Sequence, residues 1–414
     1  MHFKATILFT IFLTLSLGCS SSDSGSQQNS PLEVVSSKRY GTGHLVNFSS
    51  SSLTSDGGQI FLATSYTYPE NGPSTDSNFW VVKLDGAGDI QWQRNYGGSH
   101  YEQAEKIIQT NDGGYVFYGT TRSIDGDVQG NTDDFNNSSW LVKIDALGNI
   151  QWQKTAVCFS NTPLDIIQTQ DGGFLAVSYQ TLRKLDLLGN TVWDVPVSFY
   201  AVSLLETNGG FIVVGNQYHD SSQTGWDYYT ARIAKIGIDG STLWEKEYTQ
   251  GYINKTAKTD DAGFIILGYT ASPSVPNIHT TSFGASTDCW VAKLNSVGDL
   301  AWQKAFGGSS QDIAYDIVVS SDGYIIGSSS ESKNGDLTGT YHYGDYWVFK
   351  TDLTGNLIWQ KNFGGNETDD LKCVHRQSDG TIIMTGKSAS NTNDLSNIPR
   401  IGEEDIWILK VREQ

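Results

Sequence analysis

Trp80-Val-Val-Lys83-Leu-Asp85-Gly-Ala-Gly88-Asp-Ile-Gln-Trp92 is the stretch from which the architecture follows. Apolar residues alternate with polar ones on both sides of Asp85-Gly-Ala-Gly88, so two strands flank a tight turn with a positive φ at Gly. The step from Lys to Trp recurs at 83 to 92, 143 to 152, 184 to 193, 235 to 244, 293 to 302 and 350 to 359, nine residues each time. A second hairpin mark, Asp-Gly-Gly or a relative, falls at Asp56, Asp112, Asp171, Asn208, Asp261, Asp322 and Asp379. An apolar strand such as Tyr115-Val-Phe-Tyr-Gly119 follows each mark, and another strand precedes most of them. The unit therefore holds four short strands: A before Asp-Gly-Gly, B after it, C ending in Lys and D carrying Trp.

Seven such units cannot form one open sheet, because a twisted sheet of that many strands does not persist. Radial four-stranded blades leave only short edges, so the sequence predicts an all-β, seven-bladed β-propeller over residues 32–414. The chain ends on a C strand, Trp407-Ile-Leu-Lys410-Val, and Lys38-Arg-Tyr40-Gly41 aligns with Arg94-Asn-Tyr96-Gly97 at the end of a D strand. The N-terminal segment is thus expected to supply the last blade's missing strand and close the ring.

Trp347 to Gly365 (WVFKTDLTGNLIWQKNFGG) and Trp290 to Ser309 are near-complete copies of a repeat with the form W-x-x-K-[LI]-D-x-x-G-N-x-x-W-x-K-x-[YF]-G-G-S. In this the chain resembles the Trp-rich propeller repeats of secreted and lipid-anchored Bacteroidetes proteins, a family without a defined common activity. The hairpin is also similar to quinoprotein dehydrogenase repeats. Those space Asp and Gly one residue further apart, with Thr before the Gly, where Ala87, Leu147, Leu188, Val297 and Thr354 stand here. Quinone binding is not expected.

The first 18 residues read as a secretory signal, with Lys4 ahead of an apolar run too short to span a bilayer. Leu17-Gly18-Cys19 resembles a lipoprotein lipobox, which implies acylation of Cys19. Ser16 stands where that motif usually has Leu, so an ordinary secretory signal with an incidental Cys is the other reading. Residues 19–31 then form the lipidated Cys and a Ser-rich tether. The expected address is the outer membrane, on the periplasmic side or at the cell surface. Cys158, Cys289 and Cys373 fall in different blades and are expected to be thiols.

The chain carries 45 Asp+Glu against 27 Lys+Arg, a net charge of -18, which argues against nucleic acid as a partner. Charged residues make up 17% of the chain, below the roughly 25% of an average domain. Much of the apparent chemistry is repeat. Eleven of the twelve Trp recur on C or D strands, and the seven matching lysines lie on the strand face opposite Trp, which makes them structural.

In a blade the A-to-B and C-to-D turns share one face and the B-to-C and D-to-A loops the other. Six blades carry long B-to-C loops and blade three almost none, so the second face is the expected working face. His44, His100, His219, His279 and His342 fall there, as loop residues or as members of a site. Asp125-Gly-Asp127 and Asn334-Gly-Asp336 space oxygen donors two apart around a Gly, which suits calcium, as it suits solvated acidic loops. Trp226 stands outside the repeat in Gly225-Trp-Asp-Tyr-Tyr229, where Arg232 has replaced the C-strand Trp. Trp226, Asp227, Tyr228 and Tyr229, with His100 and His342, are candidates for a carbohydrate platform; a hydrophobic plug for an irregular blade is the other reading.

No HExxH, GxSxG, phosphate loop or CxxC is present. The expected function is a monomeric, membrane-anchored binding or scaffolding module without a cofactor, its ligand a glycan or a protein. A glycan hydrolase with two loop carboxylates as acid and base is the alternative.

Overall fold

The computed structural model describes residues 31–67, 76–155, 163–220, 228–279, 286–338 and 344–414. Among these residues the chain forms seven four-stranded antiparallel sheets, six of them in sequential order A-B-C-D. The seventh takes its outermost strand from the N-terminus: Leu32–Tyr40 pairs with Asp405–Glu413, with Lys38 opposite Ile408 and Tyr40 opposite Ile406. The protein is a seven-bladed β-propeller whose ring closes as expected. Three contacts lock the closing strand. Arg39 pairs with Asp405 at 3.1 Å with both side chains buried, Trp407 Nε1 donates to Ser37 Oγ at 2.8 Å, and the Tyr40 hydroxyl donates to the Gly88 carbonyl at 2.6 Å. Tyr96 makes the same bond to Gly148, so the N-terminal segment takes the part of a D strand in chemistry as well as position.

The two hairpin marks lean on each other. In blade one Lys83 Nζ reaches Asp56 at 2.8 Å and also donates to the Leu84 carbonyl. Lys143, Lys184, Lys293 and Lys350 repeat the pair with Asp112, Asp171, Asp261 and Asp322. The lysine lies directly over the turn, so a Cβ at Gly58 would come within 2.1 Å of the Leu84 oxygen and 2.8 Å of Lys83 Nζ. That approach is why the second glycine of Asp-Gly-Gly is needed. Blade four has Asn208 in place of Asp, and Lys235 turns to Thr207 instead.

Tryptophan joins each blade to itself and to the next. C-strand indoles are buried and donate to a D-strand glutamine (Trp80 to Gln93, Trp140 to Gln153, Trp290 to Gln303, Trp347 to Gln360). In blade four Arg232 and Glu245 hold the corresponding register as an ion pair. D-strand indoles donate to the C-to-D turn of the following blade, as Trp92 does to Ala146 and Trp302 to Leu353. The core lies between adjacent blades, where Phe79 of blade one stacks on Trp140 of blade two at 5.1 Å. At about 25 cal/mol per Å2 and about 200 Å2 per indole, each buried Trp contributes on the order of 5 kcal/mol of gross burial.

The A strands stand innermost: Val46–Leu53, Glu102–Gln109, Pro163–Gln168, Tyr200–Thr207, Tyr252–Lys258, Asp312–Ser320 and Asp369–Arg376. Each slips register by one residue against its B strand at the same height. The bulged residues are Ser49, Glu105, Leu164, Val202, Asn254, Tyr315 and Lys372, and all seven line the axis of the ring. A bulge sharpens twist and re-aims a side chain, and here it turns one residue per blade toward the centre. Among the described residues no helix is long and apolar enough to cross a membrane.

Candidate functional site

The loop-rich face uses its carboxylates to hold itself together. Asp125 Oδ1 accepts the Ser99 N–H at 2.8 Å, Asp127 Oδ2 the Gly97 N–H at 3.3 Å, and the Asp127 N–H returns to the Gly97 carbonyl at 2.8 Å. Blade six repeats the clamp: Asn334 Oδ1 takes the Ser309 N–H and Asp336 Oδ2 the Gly307 N–H, at 2.8 and 3.1 Å. The oxygen pairs that suited calcium thus grip the Gly-Gly-Ser turn after the preceding D strand. The Ser99 N–H is the main cause holding the Asp125 carboxyl below its usual range. The two clamps sit in different blades, and among the described residues no three His, Cys, Asp or Glu side chains group to hold a metal ion.

The other expected residues part company. His100 is exposed and its N–H donates to Ser123 Oγ at 2.9 Å. Tyr228 stacks on His219, with ring centroids 4.7 Å apart. His279 comes near two carboxylates, with Nδ1 3.3 Å from Asp288 and Nε2 3.9 Å from Asp336. Cys19, Cys158, Trp226, Asp227 and His342 lie outside the described residues. Cys289 is buried and Cys373 half-buried, both as free thiols.

Tyr229 is the member of the expected platform that reaches a cavity. A pocket of about 460 Å3 is lined by Tyr179, Tyr200, Tyr218, Tyr229 and Tyr252, with Asn216, Leu164 and Val202. Its position follows from the one short B-to-C connection: blade three turns in two residues, Tyr179 and Gln180, between Ser178 and Thr181. Blade three thus has no B-to-C loop to stand beside the strand ends of blades four and five. The rings brace one another. Tyr229 meets Tyr252 edge-on at 5.2 Å and Tyr218 at 5.5 Å, Tyr252 stacks on Tyr269 at 5.1 Å, and Tyr179 meets Tyr200 at 5.8 Å. Tyr179, Tyr200, Tyr218 and Tyr229 are each 39% exposed, which for a set of aromatic side chains is an open apolar surface carrying hydroxyls. Tyr179 holds φ at +41°, a conformation that costs a bulky residue about 1 kcal/mol or more and that Gly or Asn adopts more easily.

Beneath this mouth lies the axial cavity, about 470 Å3, which shares Leu164 and Val202 with it. Its wall is charged. Lys106 pairs with Asp165 at 3.0 Å, and Lys372 pairs with Asp370 at 2.9 Å while lying 3.7 Å over the Tyr315 ring. Asp316 accepts the Val374 N–H at 3.0 Å, and Ser51 Oγ lies 2.9 Å from His375 Nε2. Burial first, and the fields of Lys255 and Lys106 against that of Asp316, push the His375 imidazole down, toward its neutral form. Burial raises the Glu105 carboxyl to about 7.

Neither the axial charges nor most of the tyrosines were among the residues expected from sequence. The signal was present in the sequence: Glu105-Lys106, Asn254-Lys255 and Lys372 place charged and polar residues mid-way along A strands, and Tyr179, Tyr200, Tyr218 and Tyr252 cluster at strand ends of blades three to five.

The chain resembles solved propellers. The Dos1 propeller matches with a TM-score of 0.53 and 9% identity, over 91% of this chain and 94% of that one. BamB from Moraxella catarrhalis matches with 0.46 and 15%, over 92% and 99%. A protein of unknown function from Bacteroides caccae matches with 0.41 and 12%, over 66% and 88%. No protein-family model matches the chain, and no curated protein does. At such identities the likeness is one of fold, and the Dos1 match agrees with the propeller built up above.

Proposed function

We propose that this protein is a non-enzymatic binding propeller, anchored by lipid at Cys19, that holds carbohydrate at the tyrosine-lined mouth on its loop-rich face. The observation that carries the reading is the convergence of five tyrosines from blades three, four and five around one open pocket. Flat rings with hydroxyls at their edges stack on the apolar faces of sugar rings and donate to their oxygens. The engagement of Asp125, Asp127 and Asp336 by backbone N–H groups favours retention over hydrolysis, because those oxygens already serve the scaffold. The test is a glycan array with the wild type, Tyr229→Ala and Tyr252→Ala. Loss of retention at an unchanged melting temperature supports the reading, and full retention by both variants overturns it. Release of reducing ends from a retained glycan would favour the hydrolase alternative. Anchoring is tested separately: Cys19→Ala moves the protein from the membrane to the soluble fraction, and continued membrane association refutes the lipid anchor.

A further inference from the structure

Three lysines project toward the axis below the tyrosine mouth, and they differ in how their charge is met. Lys106 has Asp165, and Lys372 has Asp370. Lys255 also lines the axial cavity, yet among the described residues no carboxylate lies within ion-pair distance of it. Asp165, which also lines the cavity, gives one oxygen to Lys106 and the other to Ser203 Oγ and the Leu204 N–H, at 3.1 and 3.0 Å. Asp316 likewise accepts the Val374 N–H. Lys255 is half-buried and lies in the field of Asp165 behind Lys106, so two ammonium groups share one carboxylate and the pair keeps a net positive charge.

Its place relative to the mouth is set by the strand that carries it. Tyr252 opens the A strand of blade five at the mouth, and Lys255 follows three residues later past the bulge at Asn254. At about 3.3 Å per residue that is a descent of roughly 10 Å, the depth of one to two sugar rings. Leu164 and Val202 line both cavities, so the pocket at Tyr252 and the axial cavity at Lys255 are immediate neighbours.

We infer that the ligand is an acidic saccharide, whose ring rests among Tyr229 and Tyr252 while its carboxylate points down the axis to the Lys255 ammonium. The inference rests on the carbohydrate reading of the mouth and adds the chemical class. A charge-assisted hydrogen bond to a cation that shares its only nearby carboxylate with a second lysine strengthens binding about tenfold or more over a neutral sugar of the same shape. Lys255 is the specificity residue and the tyrosines supply binding common to both sugars.

The experiment is calorimetric titration of the full chain with oligogalacturonate and oligoalginate, each against its carboxyl-reduced, neutral product. The wild type is expected to prefer the acidic member by about tenfold or more. Lys255→Met abolishes that preference and leaves neutral affinity intact, Lys255→Arg keeps it, and Tyr229→Ala weakens both members together. Equal affinity for both members, or a preference that survives Lys255→Met, overturns the acidic-ligand inference alone. Failure of all four oligosaccharides to bind overturns this inference and the carbohydrate reading with it. The Arg variant guards against a fold defect at this position, since it preserves charge and length.

Discussion

Asp345 begins the C strand of blade six and Asp369 the A strand of blade seven, and the two carboxyl groups meet across Gly364. Both are buried, and among the described residues Asp345 Oδ1 and Asp369 Oδ1 have no hydrogen-bond partner. Burial, then the charge of Asp369, raises the Asp345 carboxyl to about 8, and burial raises Asp369 to about 6. Such a group is protonated in the folded protein at a pH where the unfolded chain has released the proton. Its contribution is therefore most favourable below the unfolded value of 3.8 and is lost as pH rises toward about 8. The shift of Asp345 from 3.8 to about 8 sets a ceiling of about 6 kcal/mol, reached only above pH 8. Asp345→Asn keeps the shape and removes the ionisation. Its advantage over the wild type is expected to be absent near pH 4 and to grow with pH toward a ceiling of about 6 kcal/mol, or about 7 °C in melting temperature, near pH 9. Thermal unfolding of both proteins across that range is the assay. Parallel curves, with no growing advantage for Asp345→Asn at high pH, would refute the claim that burial holds Asp345 protonated in the fold.

Other perturbations read separate parts of the scaffold. Arg39→Ala leaves Asp405 buried without its cation and should cost about 3 to 5 kcal/mol in denaturant unfolding; a cost under about 1 kcal/mol would count against ring closure through this pair. Gly58→Ala forces a Cβ against the Leu84 carbonyl and should cost about 3 kcal/mol, whereas Gly57→Ala, which meets nothing within 4 Å, pays only for its φ of +81°, about 1 kcal/mol. Equal losses would show that the lysine-capped turn does not need its second glycine. Tyr179→Asn relieves the φ of +41° and removes one ring from the mouth, so its melting temperature should hold or rise while glycan retention falls. A fall in both would mean that Tyr179 serves packing alone.

Much of this was legible before any coordinates. The Asp-Gly-Gly and Asp-x-x-Gly marks dictate local backbone conformation, and their regular return dictates blades; the likeness of Tyr40 to Tyr96 was enough to place the closing strand. Alternation places the lysine ring in the architecture, though its partner in five blades, the hairpin aspartate, lies 13 to 32 residues away and shows only when the strands pair. The face that carries the long loops was also predictable, because loop length is a property of the chain. The Asp125 and Asp336 motifs were harder to read: donors spaced for a cation look the same in sequence as donors spaced for two backbone N–H groups of a neighbouring turn.

The chain order alone specifies hairpins, repeat number and the supply of a last strand, since each depends on residues near one another or on a periodic pattern. The central site depends on something no local pattern carries. Ser49, Glu105, Leu164, Val202, Asn254, Tyr315 and Lys372 share one register position in seven units, and their differences look like repeat drift until a bulge turns each toward the axis. Radial closure then brings residues some 50 positions apart into one cavity, and the short turn of blade three sets Tyr179 beside the strand ends of blade four. Which charges are matched there, and that Lys255 among the described residues has no carboxylate of its own, is decided only by the distances that closure imposes.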